Sequence, residues 1–529
     1  MPRSEKTILP KWGVAVIIIL AILPQVYKLT LPRSEMIDSF FPDDSFYYYK
    51  TALNIRNGYG STFDTINPTN GYHPLWMLVC VGLAFITTNI YAYFYLVLSI
   101  NLLVVIFLSY KLLKMFGTNL GIICSALLLF LINWHRKTSG AIFSGLETPL
   151  YLLLFLYCIE TMVKMSWQKK TSWIVLGILV SLTFLARTSF ILFAPVLLGY
   201  GIFRIRKDNL ISLFNIILYI SVTVLIITGP YLFWNYKTTG HFEQISGLTK
   251  NLWNYGAFES TEHFIAALKN FSQKMPFILQ PRILTIIPLL LLGGCLILII
   301  KNIQSCNFIK DHRIILFTIF CLISSTYYFV SFGKVARIWH LAPVLLCFNI
   351  IFTHAIKFLL DLIRGKKYTQ PVITLMICVM MINCFLHVPI YRYKFQSVGP
   401  GLDAMAKWIK SNLPKKSKIG VWNAGYVGYF SEHTVVNLDG LINSKELYDY
   451  YKDGRGIWKY IYEKKLDYIG DYYFTDPPRP MRSMLRDRLE EVYHSRKSIS
   501  SDGKNDIFAD WYIWKVKKTT RINSAVYTD

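Results

Sequence analysis

Asp43 and Asp44 stand side by side in "FPDDSFYYYKTA" (Phe41–Ala52), in a chain with few acidic residues before residue 391. A carboxylate placed beside a reacting hydroxyl can remove its proton as the oxygen attacks. The plain alternative is a helix cap. Pro42 precedes the pair, Phe46, Tyr49 and Leu53 recur at helical spacing, and Gly58 supplies a stop. An N-cap needs one carboxylate, however, and two neighbouring charges repel. Glu147, in "SGLETPLYLLL", offers a third acid just outside a helix that Thr148 would cap and Pro149 would begin. There the plain reading is a favourable charge at a helix dipole. Cations recur in the same class of segment: His73, Arg136, Lys137, Arg187, Lys250 and Arg337. Any one of them reads as a membrane-edge anchor. Several converging beside carboxylates would make a phosphate site.

The elements that must position these residues are membrane helices. Of 529 residues 53% are hydrophobic and only 16% charged, against about a quarter charged in a soluble domain. Runs such as Val14–Leu23, Leu150–Leu156 and Leu284–Ile300 carry almost no charge. The first of them reads as a retained helix rather than a cleaved leader. The net charge of +25 is scattered in short clusters between apolar runs, which follows the positive-inside rule and lacks the continuous basic face of a nucleic-acid binder. The nine cysteines show no metal-type spacing, and none follows Cys384, so they read as small buried apolar groups.

Clusters at Arg3–Lys11, Lys111–Lys114, Lys164–Lys170, Arg204–Lys207, Lys301–Arg313 and Lys357–Lys367 are read as cytoplasmic. That pattern predicts about eleven spans, near 12–31, 93–114, 119–133, 148–165, 172–186, 189–203, 209–230, 283–301, 314–331, 338–357 and 371–390. The N-terminus is then inside and the tail outside. Pro74–Ile90 is read as a short helix dipping into the outer leaflet, because a full span would invert every later loop. Residues 1–390 would form the transmembrane catalytic domain, with external loops 32–92 and 231–282, and residues 391–529 an extracytoplasmic α/β domain. In that tail "LDAMAKWIKSNLP" reads as a helix, "KIGVW" and "TVVNLDG" as strands, and "SKELYDYYKDGRGIWKYIYEKK" as one or two amphipathic helices. Asp208, Asp311 and Asp361 fall in cytoplasmic turns, whereas Glu35, Asp38, Asp64, Glu243, Glu259 and Glu262 join the external acids. Trp76, Trp134 and Trp339 are ordinary interface residues.

With these residues in place the chain resembles the GT-C superfamily of integral-membrane glycosyltransferases, which use polyprenyl-phosphate-linked sugars. The resemblance runs through "DDSFYYYKTA", "NPTNGYHPLW", "SGLETPLY", "LARTSF", "NYKTTGHFEQISGLTK", "IGVWNAGYVGYF" and "VVNLDGLINS", and so spans most of the sequence. Only the acidic loop carries the superfamily's chemistry. The plan is similar to that of aminoarabinose and protein-O-mannosyl transferases. One departure is Ser189 in "LARTSF", where relatives often carry an acid.

The resemblance implies a polytopic α-helical fold and a multi-pass protein of the plasma membrane. It implies transfer of a hexosyl or pentosyl unit, with inversion, to a glycan, lipid or protein acceptor at the outer face. It implies Asp44 as the base, with Asp43 as competitor and Glu147 in support, and His73, Asn70, Lys250, Arg337 and Arg187 as substrate-binding residues. A divalent cation, Mg or Mn, is an option; its ligands would be Asp43, Asp44 and Glu147. Polyprenyl phosphate leaves without protonation if positive charge lies near it. The main alternative is a transporter or flippase of a lipid-linked or amphipathic substrate. Such proteins usually carry mid-membrane ionisable residues and internal repeats, and no repeat is evident here. A receptor or scaffold presenting the tail is a third reading, for which so many spans are excessive.

Overall fold

The computed structural model describes residues 11–33, 36, 41–134, 136–204, 210–253, 258, 260–274, 311–332, 337–362, 399–473, 488–498 and 508–517. The expected spans 283–301 and 371–390, with Glu35, Asp38 and Glu259, lie outside the described residues, as do the side chains of Arg136 and Lys137. The chain is a polytopic helical membrane protein with a small C-terminal sheet. It divides into two compact units. One comprises residues 1–29, 99–229 and 255–390, and the other residues 30–98, 230–254 and 391–529.

In the first unit the helices follow the apolar runs: Thr148–Lys164, Lys170–Ala186, Ala194–Arg204, His312–Phe332 and Ala342–Leu362. Among the described residues of the whole chain, four segments are long and apolar enough to cross a membrane: Trp12–Thr30, Ile90–Gly117, Leu213–Thr239 and His312–Phe332. Large apolar side chains stay exposed along them, among them Ile19, Leu20, Phe214 and Leu322. That suits lipid on the outside rather than water. The helical stretch Ile90–Asn133 covers two expected spans. It folds back on itself, because the Asn133 amide donates to Ser109 Oγ over 3.3 Å. Residues 24 apart in a straight helix would stand about 36 Å from each other. The unit's interior is aromatic: Phe155 packs edge-on to Phe193 (5.6 Å between centroids) and against Phe320 (4.7 Å). These contacts join the helix Thr148–Lys164 to the 3₁₀ turn Thr188–Phe193, which opens the expected 189–203 span, and to His312–Phe332.

In the second unit the tail forms a five-stranded sheet from β1 (Lys418–Val421), β2 (Thr434–Asn437), β3 (Tyr468–Tyr473), β4 (Leu489–Ser498) and β5 (Phe508–Val516), in the order β2-β1-β3-β5-β4. The first three strands run parallel, and β5 lies antiparallel between β3 and β4. The expected helices appear as Gly399–Asn412, Lys445–Lys452 and Ile457–Glu463, with a further short one at Gly425–Phe430. Val436, Leu438, Leu447, Tyr460, Ile469 and Trp514 make the core.

The acidic motif belongs to this same unit. Its helix spans Asp44–Arg56, and Gly58 follows with φ +83°. Phe46 through Tyr49, Ala52 and Leu53 are all buried, so the helix is enclosed on most sides. Phe46 meets Tyr426 (5.3 Å) and Phe430 (5.6 Å) of the tail, and Gly428 sits so close to Phe63 that a Cβ would lie 2.5 Å from the ring. The helix Pro74–Ala84 has 11 residues. At about 1.5 Å each these reach about half the hydrocarbon thickness, which is too short to cross it.

Candidate active site

Asp43 and Asp44 are both half-buried at the start of their helix. The cap reading fails for Asp43 in its simple form, since its side chain makes no capping bond to the first N–H groups of its own helix. Its carboxylate instead accepts the backbone N–H groups of Gly425 (2.8 Å) and Tyr426 (2.7 Å), the first residues of the tail helix Gly425–Phe430. Burial pushes the Asp43 carboxyl up to about 6, against the pull of those two N–H groups, and the Asp44 charge adds to the rise.

Asp44 heads the helix. Its charge acts on Asp43, on the Tyr47 phenol and on a third carboxylate, Asp439. Asp439 follows β2 in the turn Leu438–Gly440. Its Oδ1 accepts the Leu441 N–H (2.8 Å), and its Oδ2 accepts the Tyr47 hydroxyl (3.2 Å). Burial is the main reason that its carboxyl stands at about 8 rather than near 3.8. The Leu441 N–H opposes the rise, and the Asp44 and Asp43 charges add to it. Asp439 is a residue that spacing alone did not single out, although "VVNLDGLINS" belongs to the resemblance. A lone acid beside an Asp-Gly turn has a turn-forming explanation of its own.

The loop after the acidic helix is fixed by its own polar side chains. Asn54 donates to the carbonyls of Thr62 and Phe63 (2.9 Å each), and buried Asp64 accepts the N–H groups of Ile66 (2.8 Å) and Asn67 (2.7 Å). That gives Asp64 a turn-forming role.

Asn70 is fully buried. It donates to Asn235 Oδ1 (3.0 Å) and accepts the Ile245 N–H (2.9 Å), tying the loop to residues 235–245. His73 is half-buried. Its N–H donates to the Tyr48 hydroxyl (3.1 Å), and its Nδ1 faces the Gln244 amide nitrogen at 3.2 Å. Lys250 is half-buried on the helix Ile245–Leu252, one residue after Thr249, whose hydroxyl donates to the Gly440 carbonyl (3.2 Å). The structure therefore gathers Asp43, Asp44, Asn70, His73 and Lys250 in one unit.

Glu147, Arg187 and Arg337 belong to the other unit. Glu147, not Thr148, occupies the N-cap position, and the helix begins at Thr148 with Pro149 second. The side chain of Glu147 caps nothing. It is buried and paired with the equally buried Arg187 (3.3 Å), which also donates to the Trp339 carbonyl (2.9 Å) and lies over the Tyr151 ring. Arg337 is exposed in the turn before the helix Ala342–Leu362. Ser189 receives the Tyr328 hydroxyl (3.0 Å). Among the described residues no group of three His, Cys, Asp or Glu side chains stands close enough to hold a metal ion.

Against known proteins, 95% of the chain aligns with solved structures. ArnT from Cupriavidus metallidurans in the apo state superimposes with a TM-score of 0.55 at 11% identity, over 95% of this chain and 97% of that one. The chain has the ArnT fold. The same protein bound to undecaprenyl phosphate gives a TM-score of 0.55 at 10% identity, with the same coverage of both chains. The fold expected from the GT-C resemblance is thus the fold found. Residues 389–524 match a family described as "Domain of unknown function (DUF8728)". No curated protein matches the sequence.

Proposed function

We propose that the chain is a glycosyltransferase that moves a sugar from a polyprenyl-phosphate donor to an acceptor at the outer face of the plasma membrane, with inversion. The observation that carries this reading is the division of labour in the acid pair. Asp43 has both oxygens tied to the tail's backbone, which makes it the anchor, and Asp44 beside it is the base that takes the acceptor's proton. The ArnT fold, in a protein solved with undecaprenyl phosphate, supports the donor class. His73 and Lys250 are assigned to the departing phosphate, and Asn70 to positioning the loop that carries His73. The N-terminus is assigned to the cytoplasm and the tail to the outside. An impermeant thiol reagent should then label Lys452→Cys, an exposed position, without lysis of the inner membrane.

The deciding experiment is Asp44→Asn. It is assayed by transfer from a panel of synthetic undecaprenyl-phosphate pentoses and hexoses, radiolabelled in the sugar, to membranes from cells lacking the protein. Asp44 is the first residue of its helix, after the N-cap position held by Asp43, and Asn keeps its size there, so the variant should fold. Its turnover should fall by about a hundredfold or more. Near-normal transfer would return the transporter reading to the front. Mass spectrometry of surface glycans from the same cells, compared with the parent, identifies the sugar and the acceptor.

A further inference from the structure

The turn that follows β2 is built with more care than a surface loop needs. Asn437 is buried. Its Oδ1 accepts the Gly440 N–H (3.0 Å), and its Nδ2 donates to the Trp422 carbonyl (3.1 Å) and to the Tyr47 hydroxyl (3.2 Å). Gly440 has φ +82°, and a Cβ there would stand 3.1 Å from Thr249. The turn therefore accepts little besides glycine. Because Asn437 donates to the Tyr47 oxygen, the phenol's own proton is left for a carboxylate. It points to Asp439 Oδ2 and also reaches the Asp43 side chain. Tyr47 lies three and four residues beyond Asp44 and Asp43, on the same helical face. Placing a third acid against an acid pair raises the energy of the folded chain, and such arrangements concentrate at working sites.

We propose that Asp439, carried by the tail, is a positioning residue of the acidic site, holding the Tyr47 hydroxyl and through it the turn that presents Asp44. This rests on Asp44 being the base. The groups that face Asp439 are Asp43, Asp44 and Tyr47 from the acidic helix and its entry, Tyr451 from the helix Lys445–Lys452, and Asn437 and the Leu441 N–H from its own loop. Because the Asp439 carboxyl stands at about 8, it keeps its proton at neutral pH. The third acid can then sit there without a third full charge. Above about pH 8 it ionises, and turnover should fall as negative charge builds beside Asp44.

The test uses Asp439→Asn and Tyr47→Phe in the full-length protein, with the radiolabelled undecaprenyl-phosphate panel and pH profiles from 5.5 to about 9.5, a range set to bracket the ordinary and raised carboxylates. An Asn at 439 can accept only one of the two bonds. Its kcat should fall by about ten- to a hundredfold, with the donor KM unchanged and the decline above pH 8 abolished. Tyr47→Phe should lose a similar factor while keeping that decline, because Asp439 still titrates; it also serves if Asp439→Asn does not fold. Wild-type turnover in both variants, or a loss in Asp439→Asn with the alkaline decline intact, would overturn the inference. If Asp44→Asn is inactive while Asp439→Asn is normal, this inference alone fails. If Asp44→Asn is normal, the reading beneath it fails.

Discussion

Replacing Gly425 by Ala should disable the acidic site without touching any acid. A Cβ at this position would stand 2.1 Å from the Asp43 carbonyl oxygen and 2.9 Å from Asp43 Oδ2. Ordinary contact begins near 3.4 Å, so the tail helix Gly425–Phe430 and the Asp43 backbone must part by roughly 1.3 Å. The obstructing atom is backbone, which cannot swing aside as a side-chain tip can. Bonds of 2.8 and 2.7 Å from Gly425 and Tyr426 to the Asp43 carboxylate are then stretched past hydrogen-bonding range. Overpacking alone costs about 1–3 kcal/mol, and each bond to a charged group is worth about 1.5–3 kcal/mol. A loss of about 3 kcal/mol or more is therefore expected. The two N–H groups also hold the Asp43 carboxyl down. Without them it rises beyond about 6, which weakens the charge that Asp43 holds beside the base. The assay pairs thermal unfolding in detergent with sugar transfer. Gly82→Ala is the control, because a Cβ there meets nothing within 4 Å. Gly425→Ala should melt earlier and transfer at least tenfold less, roughly as lost positioning predicts. Wild-type melting and transfer would refute the claim that the tail backbone holds Asp43.

Asp43→Asn should act mainly on stability, by about 1–3 kcal/mol, because an amide can accept only one of the two N–H groups; differential melting against Asp44→Asn separates the two roles. Glu147→Ala takes the carboxylate away from the buried Arg187 guanidinium and should destabilise its unit by about 3–5 kcal/mol, whereas Glu147→Ala with Arg187→Leu should recover much of that, read by unfolding in detergent. Asp439 holds its proton in the folded state well above the 3.8 of an ordinary carboxyl, so wild-type stability should decline as pH rises from about 4 to about 8 and level off beyond. Asp439→Asn should lack this contribution, so its melting temperature relative to wild type should climb across that window. A flat difference would contradict the raised value.

Much of the membrane half could be read directly, because lipid imposes a simple code of long apolar helices separated by charge. The acidic helix was legible for a similar reason, with Asp43 and Asp44 before it and Gly58 after it. The partners of those acids were not. Asp43 is anchored by backbone N–H groups of Gly425 and Tyr426, and backbone groups leave no mark on residue type. Glu160 sits inside an apolar run and gave no sign of binding both Lys111 and Lys164, since pairing across helices depends on which faces meet. The strands β3, β4 and β5 escaped notice because "YIGDYY" and "LEEVYHSRKS" alternate only weakly between apolar and polar positions. Glycine carried the most information that could not be decoded. Gly71, Gly425 and Gly428 look like flexible punctuation, yet a Cβ at each would collide with Leu441, Asp43 or Phe63.

The distance along the chain between Asp43 and its anchors sets a timetable for biosynthesis. The two bonds join residues separated by 382 and 383 positions, and a ribosome adding about 5–20 residues per second needs roughly 20–80 s to cover that interval. Throughout it the nascent protein holds both acids without the groups that lock one of them in place. The step that anchors Asp43 becomes possible only after that interval, whatever order the membrane helices insert in. A polypeptide released before residue 425, by a stalled ribosome or a premature stop codon, should therefore reach the bilayer and remain inert toward the lipid carrier.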